Sequence, residues 1–524
     1  MTSDQGRLRP AAKYARSLGE LVDHYADSLV LLDLTAREIQ FTGLAVGTSD
    51  LLPGDVFIAF QGLKTHGARF AVDAQRAGAV AIITDDAGAT LLRDEGGASI
   101  PVVVLRETST QRALAGDIAA WFYNYPSRGI TTVGVTGTNG KTTTTYFIDA
   151  ALSGGDHTTA LLGTVELRVG QDSIPSPRTT VEAPVLQAIT AMASERGATA
   201  LTTEVSSHAL ALDRVAGAKF DVVAFTNLQR DHLDFHGTMD NYFADKARLF
   251  APGLARHGVV CVDDEWGVRL ADNAPIPVDT VASRPGSPGY ETAQWRVTQA
   301  TIGLDNVGSS FRLVGPGGIE VTVHSPLPGL VNVSNAALAV VVAYRSGVEL
   351  AAAARGIETI TAIPGRMERV VDDADHPLVI VDYAHTPDAL TLALEAVRPI
   401  TAGRLVIVFG SDGDRDQGKR PIMGEIAARL ADVLVVTDEN PRSEDPAEIR
   451  SAILAGVGRV RPDLSDVVEV SPRWDAVARG IELAQPGDTV IITGKGHEPT
   501  QEIAGVFHPY NDRDAARAAV SADS

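Results

Sequence analysis

A β-branched run, Ile130-Thr131-Thr132-Val133, leads straight into GVTGTNGKTTTT at Gly134–Thr145. Strand, glycine loop, then helix is the order that a nucleoside-triphosphate site requires. Glycines let backbone N–H groups close around phosphate oxygens. Lys141 brings positive charge to the outer phosphates, and Thr142 offers a hydroxyl to Mg²⁺ at a helix N-terminus. The spacing departs from the common G-x-x-x-x-G-K-[ST] pattern: Val135 stands where its first Gly would fall, and the glycines are Gly134, Gly137 and Gly140. The competing reading is a plain βα turn. The β-run before the loop and the helix-competent TTTYFIDAAL after it favour nucleotide binding.

Two further polar loops follow β-runs in the same region. In Leu201-Thr202-Thr203-Glu204-Val205-Ser206-Ser207-His208 a carboxylate stands at a strand end, where it can hold the Mg²⁺ that bridges phosphates. In Arg230-Asp231-His232-Leu233-Asp234-Phe235-His236 acids and imidazoles crowd together. Burying them without partners would cost solvation, so metal or phosphate work is favoured over a solvated turn. Lys246 follows on a helical pattern with apolar residues at Met239, Phe243, Ala247 and Phe250. From physics alone, a lone helical Lys is an exposed, solvated charge. Asp412-Gly413-Asp414-Arg415-Asp416 hints at a calcium loop, but the Gly comes one place late, at Gly418, and position twelve is Met423 rather than Glu.

The elements that must position these residues read as α/β. A chain of 524 residues is too long for one core and suggests three domains. Residues 1 to about 20 read as a loose polar tail. Over 21–128 short β-runs alternate with alanine-rich helical stretches, ending in a helix over 108–123 and a Pro/Gly linker. Over 129–364 TALTTEVSS, FDVVAFTN and GVVCVD alternate with helices, which predicts a mostly parallel sheet; 279–324 reads as an antiparallel excursion at its edge, and AALAVVVAYRSG as a closing helix. Over 365–524 LVIVDYAH, RLVIVFGSDGD, DVLVVTDENP and DTVIITGKGHE each run into a polar loop. Ligands of open α/β sheets sit beyond the carboxyl ends of strands, so these loops point to one face.

Composition narrows the function. Apolar residues make up 44%, and the net charge is −21. No basic field exists to attract nucleic acid or anionic membrane, so an anionic substrate must be held by local Arg, Lys and Mg²⁺. The single Cys261 excludes an internal disulfide and fits a reducing cytoplasm. No signal peptide and no run of ~20 apolar residues is present, so neither export nor a membrane span is expected. The sequon at Asn332-Val333-Ser334 is then coincidental.

Taken together, GTNGKTT, EVSSHAL, FTNLQRDHLDFHGTMDNYFADKARLF, PGRME, DYAHTPDAL and GSDGDRDQGKRP resemble the Mur ligases of bacterial cell-wall synthesis in order and spacing over nearly the whole chain. LAVGTSDLLPGDVFIAF resembles the family's uridine-binding segment, with Thr48 where the pattern usually has Ser. The resemblance implies three domains: an N-terminal uridine-binding α/β domain, a central phosphate-loop ATPase domain and a C-terminal Rossmann-like domain. It also assigns roles. Gly137, Thr138, Asn139, Gly140, Lys141, Thr142 and Thr143 would bind ATP phosphates, and Asn332, Arg366 and Asp382 would contact ATP. Thr142 and Glu204 would hold one Mg²⁺; His232 and Lys246 would hold a second, with Lys246 carrying CO₂ as a carbamate. That modification would turn a repelling ammonium into an oxygen-bearing anion. Thr179, Thr180, Ser206 and Arg214 would hold UDP-N-acetylmuramoyl-L-alanyl-D-glutamate, with Thr48 and Thr65 near its uridine end. Arg415, Glu439, Asn440, Pro441, Arg442, Gly494 and Glu498 would bind the incoming amino acid.

Within the family, the DENPR and GKGHE loops point to the member that adds the third residue of the stem peptide. Two carboxylates and two ammoniums on meso-diaminopimelate suit Arg forks and a Glu. L-Lysine lacks the far carboxylate and would leave Arg442 unused, so diaminopimelate is expected to be strongly preferred. The implied reaction is an amide ligation through an acyl phosphate, with Lys141, Glu204, His232 and Lys246 as the catalytic set, in a cytoplasmic monomer. A lysine-adding ligase, a folylpolyglutamate-synthetase-like ligase and a phosphate-loop nucleotide switch are the alternatives. The second would lack the uridine domain and the DENPR loop; the third would need no amino-acid pocket.

Overall fold

The computed structural model describes residues 9–62, 65–94, 99–106, 111–303 and 308–522. Its three main sheets follow one another along the chain. The first has five strands in the order Leu29–Leu31, Val102–Leu105, Ala81–Thr84, Asp55–Ala59 and Gly43–Ala45, all parallel except the Leu29–Leu31 edge. The N-terminal stretch is more ordered than its polar composition suggests. Arg16–Ser17 pairs with Gln40–Phe41, and Ser17 and Glu20 close a capping box on the helix Leu18–His24, whose Leu18 and Leu21 are fully buried. Residues 1–8 of the expected tail lie outside the described residues. So do 108–110 of the expected helix, which is described as Gln111–Phe122.

The second sheet has eleven strands. Their order is Asp172–Pro175, Glu166–Val169, Thr159–Leu162, Ala200–Glu204, Thr131–Thr136, Phe220–Phe225, Ala255–Cys261, Val278–Ala282, Trp295–Gly303, Gly308–Val314 and Glu320–Ser325. From Thr159–Leu162 to Trp295–Gly303 every pairing is parallel. Antiparallel hairpins finish both edges. The excursion expected from residue 279 starts later, because Val278–Ala282 and Trp295–Gly303 still pair in parallel. The opposite hairpin, Glu166–Val169 with Asp172–Pro175, is unannounced in the sequence, since four-residue strands are too short for alternation to register.

Both faces of this sheet are covered. Along Phe220–Phe225, Val222 and Ala224 pack towards Phe147, Ile148 and Val341, while Val223 and Phe225 pack towards Ile189 and Tyr242. The helix Leu330–Arg345 is buried almost all round, which explains the unbroken apolar run of its sequence. The third sheet runs Glu368–Val371, Leu378–Asp382, Thr489–Thr493, Leu405–Phe409, Val433–Val436 and Val467–Glu469, parallel but for the first strand. Its four polar loops therefore leave one edge, as the strand pattern predicts. One apolar cluster continues from Val341 into Leu394 and Phe409, so the second and third sheets share buried surface. No helix among the described residues is long and apolar enough to cross a membrane.

Candidate active site

The strand Thr131–Thr136 delivers the glycine loop to the helix Lys141–Ser153. Gly140 is left-handed at φ 85°, and the Asn335 side chain occupies the place a Cβ would take, so only glycine fits. The loop is held by its own hydrogen bonds. The Asn139 N–H donates to Asn227 Oδ1 at 3.0 Å, Asn139 Nδ2 donates to Gln229 Oε1 at 2.5 Å, and Thr226 Oγ1 donates to the Asn139 carbonyl at 2.7 Å. Lys141 Nζ donates to the Gly137 and Thr138 carbonyls at 3.1 and 2.9 Å.

Lys246 is not the solvated charge that helix statistics suggest. It is 1% exposed, its Nζ donates to the same Gly137 carbonyl at 2.7 Å, and it lies 4.5 Å from the Tyr242 ring centroid. Tyr242 and Phe243, one turn earlier on the helix Met239–Ala247, are buried as well and turn that face inward. Burial, with the Lys141 charge second, pushes the Lys246 pKa well below that of an ordinary lysine.

Glu204 stands at the end of Ala200–Glu204 and is 1% exposed. It accepts from Thr142 Oγ1 at 3.1 Å, from the Thr164 N–H at 2.7 Å and from Thr164 Oγ1 at 3.0 Å. Thr179 Oγ1 lies 3.2 Å from the Thr164 hydroxyl. Thr180 Oγ1 donates to the Glu204 carbonyl at 2.9 Å and accepts from the Ser206 N–H at 3.0 Å. Ser206 caps the helix Ser207–Ala211, and Arg214 lies 3.1 Å from Glu182. His232 projects from a left-handed residue at φ 52°. Partial desolvation, then the neighbouring His208 and the Lys141 and Lys246 charges, lower its pKa against the pull of Asp231. Its side chain keeps 47% of its surface open, so the drop is smaller than full burial would give.

Most of these groups, but not Gly137, Thr180, Ser206, Arg214 or Lys246, line one cleft of about 270 Å³ that also takes residues beside the third sheet. Thr138 to Thr143, Thr179, Glu204, His232, Asn332, Arg366 and Asp382 all border it. Arg366 donates to Thr142 Oγ1 at 3.3 Å and stacks 4.4 Å over Tyr383. Asp382 accepts from the Met367 and Ala384 N–H groups at 2.8 and 2.9 Å, and burial raises its pKa. Asp231, Thr164 and Asn335 also line the cleft. The sequence named the first only as part of a crowded loop and gave no signal for the other two, which come from distant strands and helices. Among the described residues no three His, Cys, Asp or Glu side chains gather closely enough to hold a metal by themselves. The expected metal positions instead mix a hydroxyl, a carboxylate, an imidazole and a lysine. Thr142 and Glu204, in contact, are hard oxygen donors that suit Mg²⁺ completed by phosphate and water.

The expected amino-acid residues lie outside that lining and form a second cluster at the third sheet's loops. Asn440 Nδ2 donates to Glu498 Oε2 at 3.1 Å, and Lys495 Nζ donates to Asn440 Oδ1 and Glu498 Oε2, both at 2.8 Å. Arg442 approaches Asp412 at 3.6 Å and Glu502 at 4.0 Å, whereas Arg415 is exposed and makes no ion pair among the described residues. Pro441 joins Asn440 to Arg442, and Gly494 packs beside Glu439 at φ 112°. Beneath them Arg473, fully buried, pairs with Asp512 at 2.8 Å and donates to the Asp438 and Thr493 carbonyls at 3.2 and 2.8 Å. It ties together the two strand ends that carry the loops, and nothing in its sequence neighbourhood marks it. Thr48 and Thr65 belong to neither cluster; they follow the adjacent parallel strands Gly43–Ala45 and Asp55–Ala59 of the first sheet.

A phosphate loop facing a second parallel sheet defines a nucleotide-using enzyme that brings substrates together between domains. Family models match in three places: "Mur ligase family, catalytic domain" at residues 40–115, "Mur ligase middle domain" at 135–343 and "Mur ligase, glutamate ligase domain" at 365–496. A relative from Streptomyces avermitilis, named UDP-N-acetylmuramoyl-L-alanyl-D-glutamate–2,6-diaminopimelate ligase, is 42% identical over 517 residues, 98% of each chain. A relative from Leifsonia xyli, named UDP-N-acetylmuramyl-tripeptide synthetase, is 45% identical and covers 98% of this chain and 97% of its own. A solved UDP-N-acetylmuramoyl-L-alanyl-D-glutamate–2,6-diaminopimelate ligase is 32% identical with a TM-score of 0.64, covering 94% of this chain and 97% of that one. The folylpolyglutamate synthase of Mycobacterium tuberculosis, at 20% identity and a TM-score of 0.59, shares the fold. The chain belongs to the Mur ligase family.

Proposed function

We propose that this ligase uses ATP to join meso-diaminopimelate to the D-glutamate side-chain carboxylate of UDP-N-acetylmuramoyl-L-alanyl-D-glutamate, in the cytoplasm and as a monomer. The observation that carries the reading is that the phosphate loop and Glu204 share a cleft with Arg366, Asp382 and His385 of the third sheet, in a chain with full-length relatives named for this reaction. Residues 129–364 supply the nucleotide site, 21–128 the uridine end and 365–524 the amino-acid pocket.

In this reading the D-glutamate carboxylate attacks the γ-phosphate of ATP, ADP leaves, and the amine of the amino acid displaces phosphate from the acyl phosphate. Lys141 leaves the Gly137 and Thr138 carbonyls to meet the outer phosphates. Arg366 reaches the same oxygens from the opposite wall, and the two cations hold mutually repelling anions in line. Mg²⁺ on Thr142 and Glu204, and a second ion on His232 and a Lys246 carbamate, would supply charge neutralisation at the transferring phosphate. The depressed Lys246 pKa supports that modification, because a neutral amine is the form that attacks CO₂.

A second reading, ligation of L-lysine, is favoured by one detail: Arg442 is already close to Asp412 and Glu502 rather than open for a far carboxylate. The test is the purified protein with ATP, Mg²⁺, UDP-N-acetylmuramoyl-L-alanyl-D-glutamate and a panel of amino acids, with products identified by mass. A product heavier by one diaminopimelate residue is expected. Absence of any ligated product would overturn the reading.

A further inference from the structure

The amino-acid pocket gathers acidic side chains beside the Arg442 guanidinium. Asp412 lies 3.6 Å from the Arg442 guanidinium, the group that the ligase reading reserves for a ligand's far carboxylate. Asp412 Oδ1 and Glu439 Oε2 are both buried without a hydrogen-bond partner. Glu439 is 2% exposed, and a Cβ at Gly494 would stand only 2.8 Å from its Oε2, so the carboxyl is pressed against bare backbone. The hydroxyls of Ser411, Thr437 and Thr493 are likewise buried and unpartnered around it. Buried polar atoms in native proteins are normally satisfied, and a cluster of exceptions at strand ends marks a place where ligand atoms belong. Two unpartnered acid oxygens call for donors, which an ammonium supplies and a carboxylate does not.

Resting on the ligase reading above, we propose that Asp412 sets the amino-acid choice: it faces Arg442 and, with Glu439, receives the side-chain ammonium, so the pocket also accepts diamino acids that lack a second carboxylate. Diaminopimelate carries no net charge, whereas lysine and ornithine carry one positive charge. An acid beside the fork repels the first ligand's far carboxylate and attracts the others' ammonium. The Asp412 side chain makes no other ion pair among the described residues, and the bond that its carbonyl accepts from Arg420 survives substitution.

The experiment compares kcat/KM for meso-diaminopimelate, L-lysine and L-ornithine in the full chain and in Asp412→Asn, with Asp412→Ser as a second variant and thermal melting as a check on folding. The unmodified protein is expected to ligate L-lysine or L-ornithine measurably. Both variants should raise the diaminopimelate-to-lysine ratio by about tenfold or more, with KM for ATP and for the UDP-substrate unchanged. Ligation with an unshifted ratio in the folded variants would overturn the role of Asp412 and leave the ligase reading standing. No ligation of any amino acid by the unmodified protein would overturn both.

Discussion

The phosphate-loop cleft and the third-sheet pocket both sit at the carboxyl ends of parallel strands, yet they are prepared in opposite ways. In the first, nearly every polar group is already bonded within the protein: Lys141 to Gly137 and Thr138, Thr142 to Glu204, Asn139 to Gln229. In the second, Ser411, Asp412, Thr437, Glu439, Arg442 and Thr493 each leave a buried polar atom without a partner. On the proposed reading, a loop that meets several anions is kept folded by bonds that its cations would exchange for phosphate oxygens. On the same reading, a pocket that takes a diamino acid holds open donors and acceptors for that ligand's ammonium and carboxylate groups to satisfy. Acyl-phosphate formation then belongs, on the proposed reading, to the first region and amine selection to the second, and each expected outcome below presses on that division.

The largest effect is expected at Lys246. Lys246→Ala should lower ligation by on the order of 10³ while leaving ATP binding, measured by calorimetry, largely intact; short-chain carboxylates should restore part of the rate. Activity like that of the unmodified protein without additive would remove the carbamate from the account. Next comes Glu204→Gln, expected to raise the Mg²⁺ concentration needed for half-maximal rate and to slow acyl-phosphate formation by on the order of 10². An unchanged Mg²⁺ titration would leave Glu204 a purely structural strand end.

A smaller effect should appear in the pocket alone. Burial and then Asp412 push the Glu439 pKa up to about 8, with Lys419 and Arg473 pulling down and Glu498 adding to the rise. At neutral pH the free pocket therefore holds mostly the acid form, and an entering ammonium prefers the carboxylate. KM for the amino acid should fall roughly tenfold between pH 6.5 and 8.5, KM for ATP should not follow it, and Glu439→Gln should flatten the profile. Parallel movement of both constants would blur the two regions into one.

The smallest effect lies away from both. Burial alone would raise the Asp279 pKa, but hydrogen bonds from His257 and Arg345 outweigh it and hold it at about 2. A depressed carboxyl contributes stability above its unfolded value that is lost as pH falls towards 2. Asp279→Asn should cost ~2 kcal/mol in neutral solution, with the deficit shrinking in acid and kcat unchanged.

The sequence carried the phosphate loop, the strand-end position of Glu204 and the common edge of the third sheet's loops, because each rests on local order: a β-run, a glycine, a polar turn. Lys246 was legible as more than a solvated charge only through the family pattern. Its burial depends on Tyr242 and on the Gly137 carbonyl, which lies 109 positions away in the chain. The capping box at Ser17 and Glu20 is readable as a local pattern, in a stretch whose polar composition points to a loose tail. Arg473 and the Asp412–Arg442 pair were not readable, because Arg473 reaches from the helix Arg473–Glu482 to Asp512 and two strand ends, and Asp412 and Arg442 follow strands, Leu405–Phe409 and Val433–Val436, that become neighbours only in the folded sheet.

The division of labour is tested most directly by trapping the acyl phosphate with hydroxylamine in the absence of any amino acid. With ATP, Mg²⁺ and UDP-N-acetylmuramoyl-L-alanyl-D-glutamate, the unmodified protein and Arg442→Ala should form the hydroxamate at similar rates, and Lys246→Ala should form almost none. A hydroxamate that appears only when the amino acid is present, or that is lost equally in Arg442→Ala, would contradict the account.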